Sequence, residues 1–239
     1  MGCLLKAGGG LHARLVVGAV LLAAGEAKRF GGKPKPLLQL GGVPLIRRNL
    51  IALSGAGVDE VAVVLGHCAD EIEVAVRDFP VTIVRNNDYA HGQMSSVRAG
   101  LAALSGKVDA IVIAPADQPM INMQDITELI GAFKKCRAQA MSGASEIASA
   151  VAPASIIVPY VNGERGNPIV LDASVREEIL AGGMDFGCRQ WIAQHPEQVE
   201  RFDTDNQHFL VDVDTPEDLE RFKVRYGHTL QFAAEPATS

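Results

Sequence analysis

Residues 20–38 combine small side chains with clustered positive charge, a combination that suits the binding of phosphate groups. An apolar run breaks at Ala-Ala-Gly and passes into a loop that carries Arg29, Lys33 and Lys35. Small side chains let a ligand approach backbone N–H groups closely, and the cations can bind phosphate oxygens. A hydrated turn is the alternative, because lysines and small residues are also common in loops. The segment contains neither the GxGxxG nor the GxxxxGKS/T phosphate-binding pattern.

Three carboxylates are candidates for holding a divalent cation. Asp117 follows an apolar segment that is predicted to be a buried strand, where its charge needs a partner such as phosphate-bound Mg²⁺. The alternative for Asp117 is a turn before Pro119. Asp212 and Asp214 alternate along another predicted strand, so they would face opposite sides and only one could reach the same metal. The other, with Thr215, would cap the next helix.

A third candidate segment is NNDYAHGQMSSVRAG, residues 86–100. Gly92 would let a ligand approach the backbone closely, and Ser95 and Ser96 stand at the predicted start of a helix. The free N–H groups at a helix start attract anions, so this segment could also contact phosphates. His91 is interpreted as an ordinary loop histidine.

The elements that must position these residues alternate regularly through the first 136 residues. Short aliphatic runs predict strands, and the spacing of apolar residues between them predicts helices. Strands are expected at 15–23, 60–66, 81–86 and 109–117, and helices at 44–57, 69–79, 94–104 and 123–136. This alternation predicts an α/β fold with a mainly parallel sheet and helices on both faces. Ligands bind beyond the carboxyl ends of such strands, so Asp117 should lie near residues 23–25.

The remainder of the chain is less regular. Residues 137–155 carry little periodic signal; strands are expected at 156–160, 169–171 and 209–214, and helices at 174–181, 188–195 and 215–227. Residues 1–13 are expected to form a disordered leader, and residues 227–239 a frayed tail. The chain is therefore predicted to contain a single domain over residues 14–226.

Composition and charge narrow the range of functions. The chain is 48% hydrophobic with a formal net charge of −6, and its basic residues cluster only at 28–35, so nucleic acid is not an expected partner. The apolar run at 15–25 is too short to span a membrane. Four cysteines, Cys3, Cys68, Cys136 and Cys188, are scattered without metal-binding spacing, which predicts reduced thiols in a cytoplasmic protein.

Six motifs occur in order along residues 15–225: LAAG with KRFGGKPKPLL, HGQMSSVRAG, DQP, GERGNP, DFGCR and DVDTPED. Together they resemble the molybdenum cofactor cytidylyltransferases and the related guanylyltransferases. The resemblance implies a Rossmann-like, three-layer nucleotidyltransferase fold of the nucleotide-diphospho-sugar transferase type. It also implies a nucleotide-binding half at residues 14–136 and an acceptor-binding half at residues 137–226.

The resemblance assigns a role to each candidate residue. The nucleotide would be held by Leu22, Ala23, Ala24, Gly25, Gly92, Ser95 and Ser96. Lys35 would contact the triphosphate, assisted by Arg29. Asp117 would be the principal Mg²⁺ ligand, with Asp214 or Asp212 as the second carboxylate. The pterin acceptor would meet two later loops, through Gly166, Asn167 and Pro168 and through Asp185, Gly187 and Arg189.

The implied activity is transfer of CMP from CTP to the terminal phosphate of molybdopterin, with release of pyrophosphate; a molybdenum hydroxylase could receive the product. Guanylyl-transferring relatives usually carry LAGG, so the methyl group of Ala24 favours the smaller base of CTP. Two departures fall in the acceptor half: Asn167 stands where the family often has His, and Cys188 replaces a small residue. The alternatives are a sugar phosphate as acceptor, GTP as donor, a non-catalytic carrier of the cofactor, and hydride transfer with a nicotinamide or flavin.

Overall fold

The computed structural model of the chain describes residues 14–142 and 154–234, so the predicted leader at 1–13 lies outside the described residues. The strands in these ranges are β1 (Val17–Ala23), β2 (Gln39–Leu40), β3 (Val43–Pro44), β4 (Glu60–Leu65), β5 (Thr82–Arg85), β6 (Ala110–Pro115), β7 (Ile156–Val161), β8 (Glu164–Arg165), β9 (Ile169–Asp172), β10 (Val199–Thr204) and β11 (Leu230–Gln231). The α-helices are α1 (Leu45–Gly55), α2 (Ala69–Val76), α3 (Gln93–Ala103), α4 (Met123–Ser142), α5 (Ala173–Ala181), α6 (Cys188–Gln194) and α7 (Pro216–Tyr226).

A mixed sheet carries the fold, with the strand order β10-β7-β9-β6-β1-β4-β5 and the short β8 beside β7. β1 runs parallel to both β4 and β6, and β4 runs parallel to β5. β9 lies antiparallel between β6 and β7, while β10 is parallel to β7. The predicted α/β fold with a mainly parallel sheet is confirmed, and β9 accounts for the mixed character of its second half.

The central strand β1 is covered by helices on both faces. Val17, Ala19 and Leu21 belong to the core shared with α1, α2 and α4, whereas Val20 and Leu22 belong to the core shared with α3, α5 and α6. A strand buried on both faces must be apolar at nearly every position, which explains its uninterrupted aliphatic sequence. The layers are therefore helix, sheet and helix.

A third apolar cluster joins the C-terminal segment to the loop after β1. Here β2 pairs antiparallel with β3 and with β11, so that Leu40 lies opposite Leu230. Leu230 is buried with Phe30 and Phe222. The expected frayed tail is therefore wrong for residues 230–231, because this buried leucine and its backbone pairing tie the chain down; residues 235–239 lie outside the described residues.

The strand predicted at 209–214 is also wrong. Residues Gln207–Leu210 form a 3₁₀ turn and residues 211–214 pair with no strand in the described sheets. The alternating pattern has a different cause: Phe209 is buried in the α1–α2–α4 core and Val213 in the third cluster, so the segment bridges two apolar clusters. The edge position is taken instead by β10, whose mostly polar sequence gives no periodic signal.

Helix α4 continues six residues beyond its predicted end at 136, into the stretch that showed little periodicity; residues 143–153 lie outside the described residues. Within the described part of the chain, no helix is long and apolar enough to cross a membrane. Cys68, Cys136 and Cys188 are free thiols, whereas Cys3 falls in the undescribed N-terminal stretch.

Candidate active site

A cleft of about 280 Å³ lies at the carboxyl ends of β1 and β6. Residues 22–25, which end β1 and begin the following loop, form one wall, and Asp117 forms another. The Ala116 N–H donates a hydrogen bond of 2.9 Å to the Leu22 carbonyl oxygen, so the two chains stay side by side beyond the strand ladder. Parallel pairing of β1 with β6 therefore brings Asp117 beside residues 23–25.

The basic loop after β1 is fixed by apolar residues at both ends. Phe30 and Leu38 are buried in the third apolar cluster. Between them Pro34 and Pro36 flank Lys35, and the fixed φ angle of proline restricts the backbone at this point. Lys35 is thereby held in the wall of the cleft rather than in solvent.

Lys35 joins two carboxylates from distant parts of the chain. Its Nζ donates to Asp117 Oδ2 at 2.6 Å and to Asp214 Oδ1 at 2.7 Å, and its side chain is only 13% exposed. Burial by itself would lower the pKa of the ammonium group, but the two carboxylates outweigh burial and the pKa lies above its ordinary value. Lys35 is therefore charged at neutral pH.

Asp212 lies close to this cluster without touching Lys35 in a hydrogen bond. Its side chain reaches the surface, yet surrounding protein partly desolvates the carboxyl and raises its pKa, and repulsion from Asp214 and Asp117 adds to that rise. Asp212 and Asp214 do not occupy opposite faces of a strand, because residues 211–214 are not a strand. Arg29 is exposed at the outer edge, with its Nη1 3.8 Å from Asp214 Oδ2.

The start of α3 forms the wall opposite the basic loop. Gly92, Gln93 and Ser96 line the cleft there. Gly92 has a φ angle of 104°, a conformation that residues with a Cβ rarely adopt. Ser95 faces the preceding loop, where its hydroxyl donates to the Gly92 carbonyl oxygen at 2.9 Å. The Asn86 side-chain amide donates to both serine hydroxyls and so holds this loop on the helix.

One predicted acceptor loop lies beside this cleft. Arg189 lines a second cleft of about 250 Å³, and Gln93 lines both clefts. Gly187 lies against α3, since a Cβ atom there would stand 3.1 Å from Met94 Cγ. Asp185 is exposed just before them. Residues 185–189 therefore neighbour the first cleft through the start of α3.

The other predicted acceptor loop contacts Phe209, which also accepts a hydrogen bond from the turn after β6. Gly166 and Pro168 are buried while Asn167 is exposed, and a Cβ on Gly166 would stand 2.6 Å from the Phe209 carbonyl oxygen. That oxygen accepts hydrogen bonds from the Asn167 N–H at 3.0 Å and from Gln118 Nε2 at 3.2 Å. The two acceptor loops thus contact different elements, α3 in one case and the 3₁₀ turn at Gln207–Leu210 in the other.

Several cleft residues had not been singled out from the sequence. Tyr89 and Gln93 contribute to the wall near α3, and Glu26 and Pro36 to the wall near the basic loop. All four stand within residues 20–38 or 86–100, the two candidate segments of the sequence analysis, but their residue types alone do not indicate contact with a ligand. Their position in the cleft beside Lys35 and Asp117 is what indicates that contact.

The carboxylates of the cleft suit a hard divalent cation. Asp117 and Asp214 converge on one ammonium group, and Asp212 is near enough to be repelled electrostatically by both. Mg²⁺ is usually bound by one or two carboxylates while substrate phosphates and water supply the other oxygens. Among the residues described, no three or more His, Cys, Asp or Glu side chains form a group able to hold a metal by themselves. The donor set therefore fits a cation that arrives with a phosphorylated substrate.

Open α/β sheets bind their ligands at the carboxyl edge, and the cleft at that edge is walled here by small residues, a largely buried lysine and two carboxylates that converge on it. The chain belongs to the MobA-like NTP transferase domain family, whose model matches residues 19–199. Nicotine blue oxidoreductase from Paenarthrobacter nicotinovorans is 33% identical over 206 residues, which cover 86% of this chain and 95% of that protein. Molybdenum cofactor guanylyltransferase from Shewanella sp. strain MR-4 is 28% identical over 214 residues, covering 87% and 95%.

Solved structures show the same architecture. The Rv0371c homologue from Mycobacterium sp. strain JC1 superposes with a TM-score of 0.69 at 28% identity, covering 87% of this chain and 96% of that one. A nucleotidyl transfer enzyme from Methanothermobacter thermautotroptrophicus has a TM-score of 0.66 at 24% identity, covering 88% and 97%. The predicted nucleotidyltransferase fold is confirmed, and the predicted family is confirmed at the level of the MobA-like NTP transferases.

Proposed function

We propose that this protein transfers CMP from CTP onto the terminal phosphate of molybdopterin and releases pyrophosphate. The observation that best supports the proposal is the Lys35 ammonium group, which is held between Asp117 and Asp214 inside the cleft. A largely buried cation beside paired carboxylates provides charges of both signs at one point, as a triphosphate with a divalent cation requires. The function rests on this cluster more than on any single motif.

The nucleotide would lie along the first cleft. Backbone N–H groups of residues 23–25 and of the α3 start would face its phosphates, because small residues there leave the backbone accessible. Lys35 would neutralise charge on the triphosphate, and the exposed Arg29 would assist from the outer edge. The loop serine Ser95 would act indirectly, by holding Gly92 in place.

The reaction needs no nucleophile from the protein. An oxygen of the acceptor phosphate attacks the α-phosphorus of CTP, a new P–O bond forms, and the bond from the α-phosphorus to the bridging oxygen breaks, with its electron pair leaving on pyrophosphate. No net proton transfer is required. Lys35 holds the donor and stabilises negative charge as it develops on the leaving pyrophosphate, so catalysis is mostly positioning and electrostatic stabilisation.

Asp117 and Asp214 would hold Mg²⁺, with Asp212 beside them, and the ion would neutralise negative charge on the triphosphate. The fit is chemical: carboxylate oxygens are the hard ligands that this cation prefers. These carboxylates are also close to Lys35, so the protein itself balances their charge through hydrogen bonds.

The acceptor would enter from the second cleft. Arg189 lines that cleft and is the cation that we assign to the pterin phosphate, with Asp185 and Gly187 shaping the same loop. The loop at Gly166, Asn167 and Pro168 would approach from the side of the 117–118 turn. A molybdenum hydroxylase as recipient of the product, and a cytoplasmic location, belong to this same proposal.

Base selection is proposed to depend on Ala24. This residue is buried in the cleft wall, and its methyl group takes space that a larger purine would need. The guanylyltransferase among the relatives keeps GTP as the alternative donor. Replacement of Ala24 by Gly would enlarge the cleft at that point, so the variant is expected to gain activity with GTP relative to CTP.

The test is a pyrophosphate-release assay with Mg²⁺ and each of the four NTPs, with and without molybdenum cofactor, and with a sugar phosphate as a second acceptor. We expect release only with CTP and the molybdenum cofactor. Preference for GTP would overturn the base assignment, and release driven by the sugar phosphate would overturn the acceptor. Binding of the cofactor without release from any NTP would indicate a carrier instead.

A second candidate is an oxidoreductase, which the similarity to nicotine blue oxidoreductase favours. The missing GxGxxG pattern and the carboxylate–lysine cluster favour nucleotidyl transfer over hydride transfer. Flavin absorbance in the purified protein, or oxidation of a reduced nicotinamide cofactor on addition of an electron-accepting heteroaromatic dye, would support the oxidoreductase and contradict the transferase.

A further inference from the structure

Asp125 is a buried carboxylate that lies outside both clefts. Its side chain is only 4% exposed. It accepts hydrogen bonds from the Asn122 N–H at 3.0 Å, from Asn206 Nδ2 at 2.7 Å and from His208 Nδ1 at 3.0 Å. The contact with His208 is a hydrogen bond in the tautomer that carries the ring proton on Nδ1, because a carboxylate oxygen accepts. A carboxylate that is this deeply buried needs hydrogen-bond partners, and these three groups supply them.

Two of these donors belong to the segment that carries the cleft carboxylates. Asn206 and His208 begin residues 205–214, and this segment ends at Asp212 and Asp214. The Asn206 side-chain oxygen also accepts the His208 N–H at 3.0 Å, which caps the 3₁₀ turn. Because residues 211–214 pair with no strand among the residues that the structure describes, the segment lacks the backbone ladder that fixes β6. The segment is held instead by one backbone hydrogen bond, from the Asn167 N–H to the Phe209 carbonyl oxygen, and by side-chain contacts.

The same carboxylate is joined by a short stretch of chain to the other cleft carboxylate. Asp125 stands in the first turn of α4, and residues 117–125 lead to it directly from Asp117. Gln118 supplies a parallel link, since its Nε2 donates to the Phe209 carbonyl oxygen. The chain on one side of the cleft is thereby tied to the segment on the other.

We propose that Asp125 is a positioning residue which, through Asn206 and His208, holds residues 205–214 against the chain after β6 and so sets the separation of Asp214 from Asp117. The metal part of this statement rests on the proposed function. Mg²⁺ tolerates little deviation in ligand geometry, so two carboxylates on separate segments bind it well only when both segments are fixed.

The first experiment compares Asp125→Asn with the matched control Glu128→Gln, which removes a carboxylate from the exposed side of the same helix. An amide has one acceptor oxygen and would bring an N–H group against the existing donors, so the tether is weakened by the loss of at least one hydrogen bond with little change in volume. Amide hydrogen exchange over residues 205–214 is expected to quicken about tenfold or more in Asp125→Asn and to stay unchanged in Glu128→Gln. Equal exchange in the two variants would overturn the proposal.

The second measurement uses Mn²⁺ together with CTP as the probe, and the electron paramagnetic resonance signal of the bound ion as the readout, with no turnover needed. We expect Asp125→Asn to weaken Mn²⁺ binding roughly tenfold to a hundredfold. The affinity for CTP measured without a divalent cation should change less than about twofold, because the cleft walls at residues 22–25 and α3 are untouched. A lower melting temperature with unchanged Mn²⁺ affinity would show that Asp125 is merely structural, and would overturn the proposal.

A rescue pair tests the hydrogen bond itself. His208→Asn places an amide N–H where the Nδ1–H stands, whereas His208→Leu places no donor there. The asparagine variant is expected to keep near-wild-type exchange over residues 205–214, and the leucine variant to behave like Asp125→Asn. Equal behaviour of the two would contradict the tether. If the wild type releases no pyrophosphate from any NTP, the proposed function and the metal part of this proposal fail, but hydrogen exchange over residues 205–214 still decides whether Asp125 holds the segment.

Discussion

Replacing Lys35 with Met removes the ammonium group while keeping much of the side-chain volume. The lost group makes two charge-assisted hydrogen bonds, at 2.6 Å to Asp117 and 2.7 Å to Asp214. Loss of one preorganised contact of this kind costs ~3 kcal/mol of transition-state stabilisation, roughly a hundredfold in rate. Lys35 is largely shielded from solvent, so water cannot fully take its place. We therefore expect kcat/KM to fall about a hundredfold or more.

The effect on folding should be smaller than the effect on rate. Breaking a fully buried ion pair destabilises a protein by about 3–5 kcal/mol. Here the Asp117 side chain is 23% exposed and the Asp214 side chain 48% exposed, so water can solvate both once Lys35 is gone. We expect the variant to fold, with a modest loss of stability. Added Mg²⁺ should raise its melting temperature more than that of the wild type, because the cation can replace the missing positive charge.

The assay is pyrophosphate release with CTP and molybdenum cofactor, with circular dichroism as the check on folding. Lys28→Met is the matched control, because Lys28 lies in the same loop but is exposed and pairs with Glu26 at 2.8 Å. It should keep kcat/KM within about threefold of the wild type, as expected for an exposed ion pair. Near-wild-type turnover by folded Lys35→Met would refute the assignment of Lys35 as the triphosphate cation.

Two further predictions concern packing and thiol chemistry. Gly100→Ala should lower the free energy of unfolding in urea by about 1–3 kcal/mol, because the new methyl group would collide with Val20 and meet Val64 Cγ2 at 2.8 Å. Gly131→Ala, on the open side of α4, should instead be neutral or stabilising by up to about 1 kcal/mol; equal losses would contradict the packing argument. Burial raises the pKa of the Cys188 thiol to about 11, so its alkylation by iodoacetamide should speed up about tenfold per pH unit from pH 8 towards pH 11. Mass spectrometry of the native and the unfolded protein checks this, and equal rates in the two at pH 8 would refute it.

The sequence predicts the structure best where the burial of one strand or helix appears directly in its own pattern of apolar residues. The run through β1 is apolar at successive positions because both of its faces are covered, and that pattern is visible without any knowledge of neighbours. Parallel pairing then places Asp117 next to residues 22–25, since the carboxyl ends of adjacent parallel strands lie at one edge. The walls of the first cleft could therefore be predicted as a group.

The pattern of apolar residues predicts the wrong element where side chains are buried by a segment that is neither strand nor helix. Residues 209–214 alternate like a strand, but Phe209 and Val213 are buried in two different clusters. The true edge strand, β10, is stabilised by backbone hydrogen bonds to β7, and such bonds leave no trace in side-chain types. Leu230 likewise gave no sign of its pairing with Leu40, because a two-residue strand is too short to show a period.

The sequence by itself determined the layered α/β fold and the motifs that predict nucleotide chemistry, because these depend on local periodicity and local residue types. Only the tertiary structure decided that Asp214 meets Lys35 across 179 positions of the chain, and that buried Asp125 gathers Asn206 and His208. The physical reason is that periodicity reports whether a side chain is buried. Which distant group it meets is set by how the whole sheet brings separate segments together.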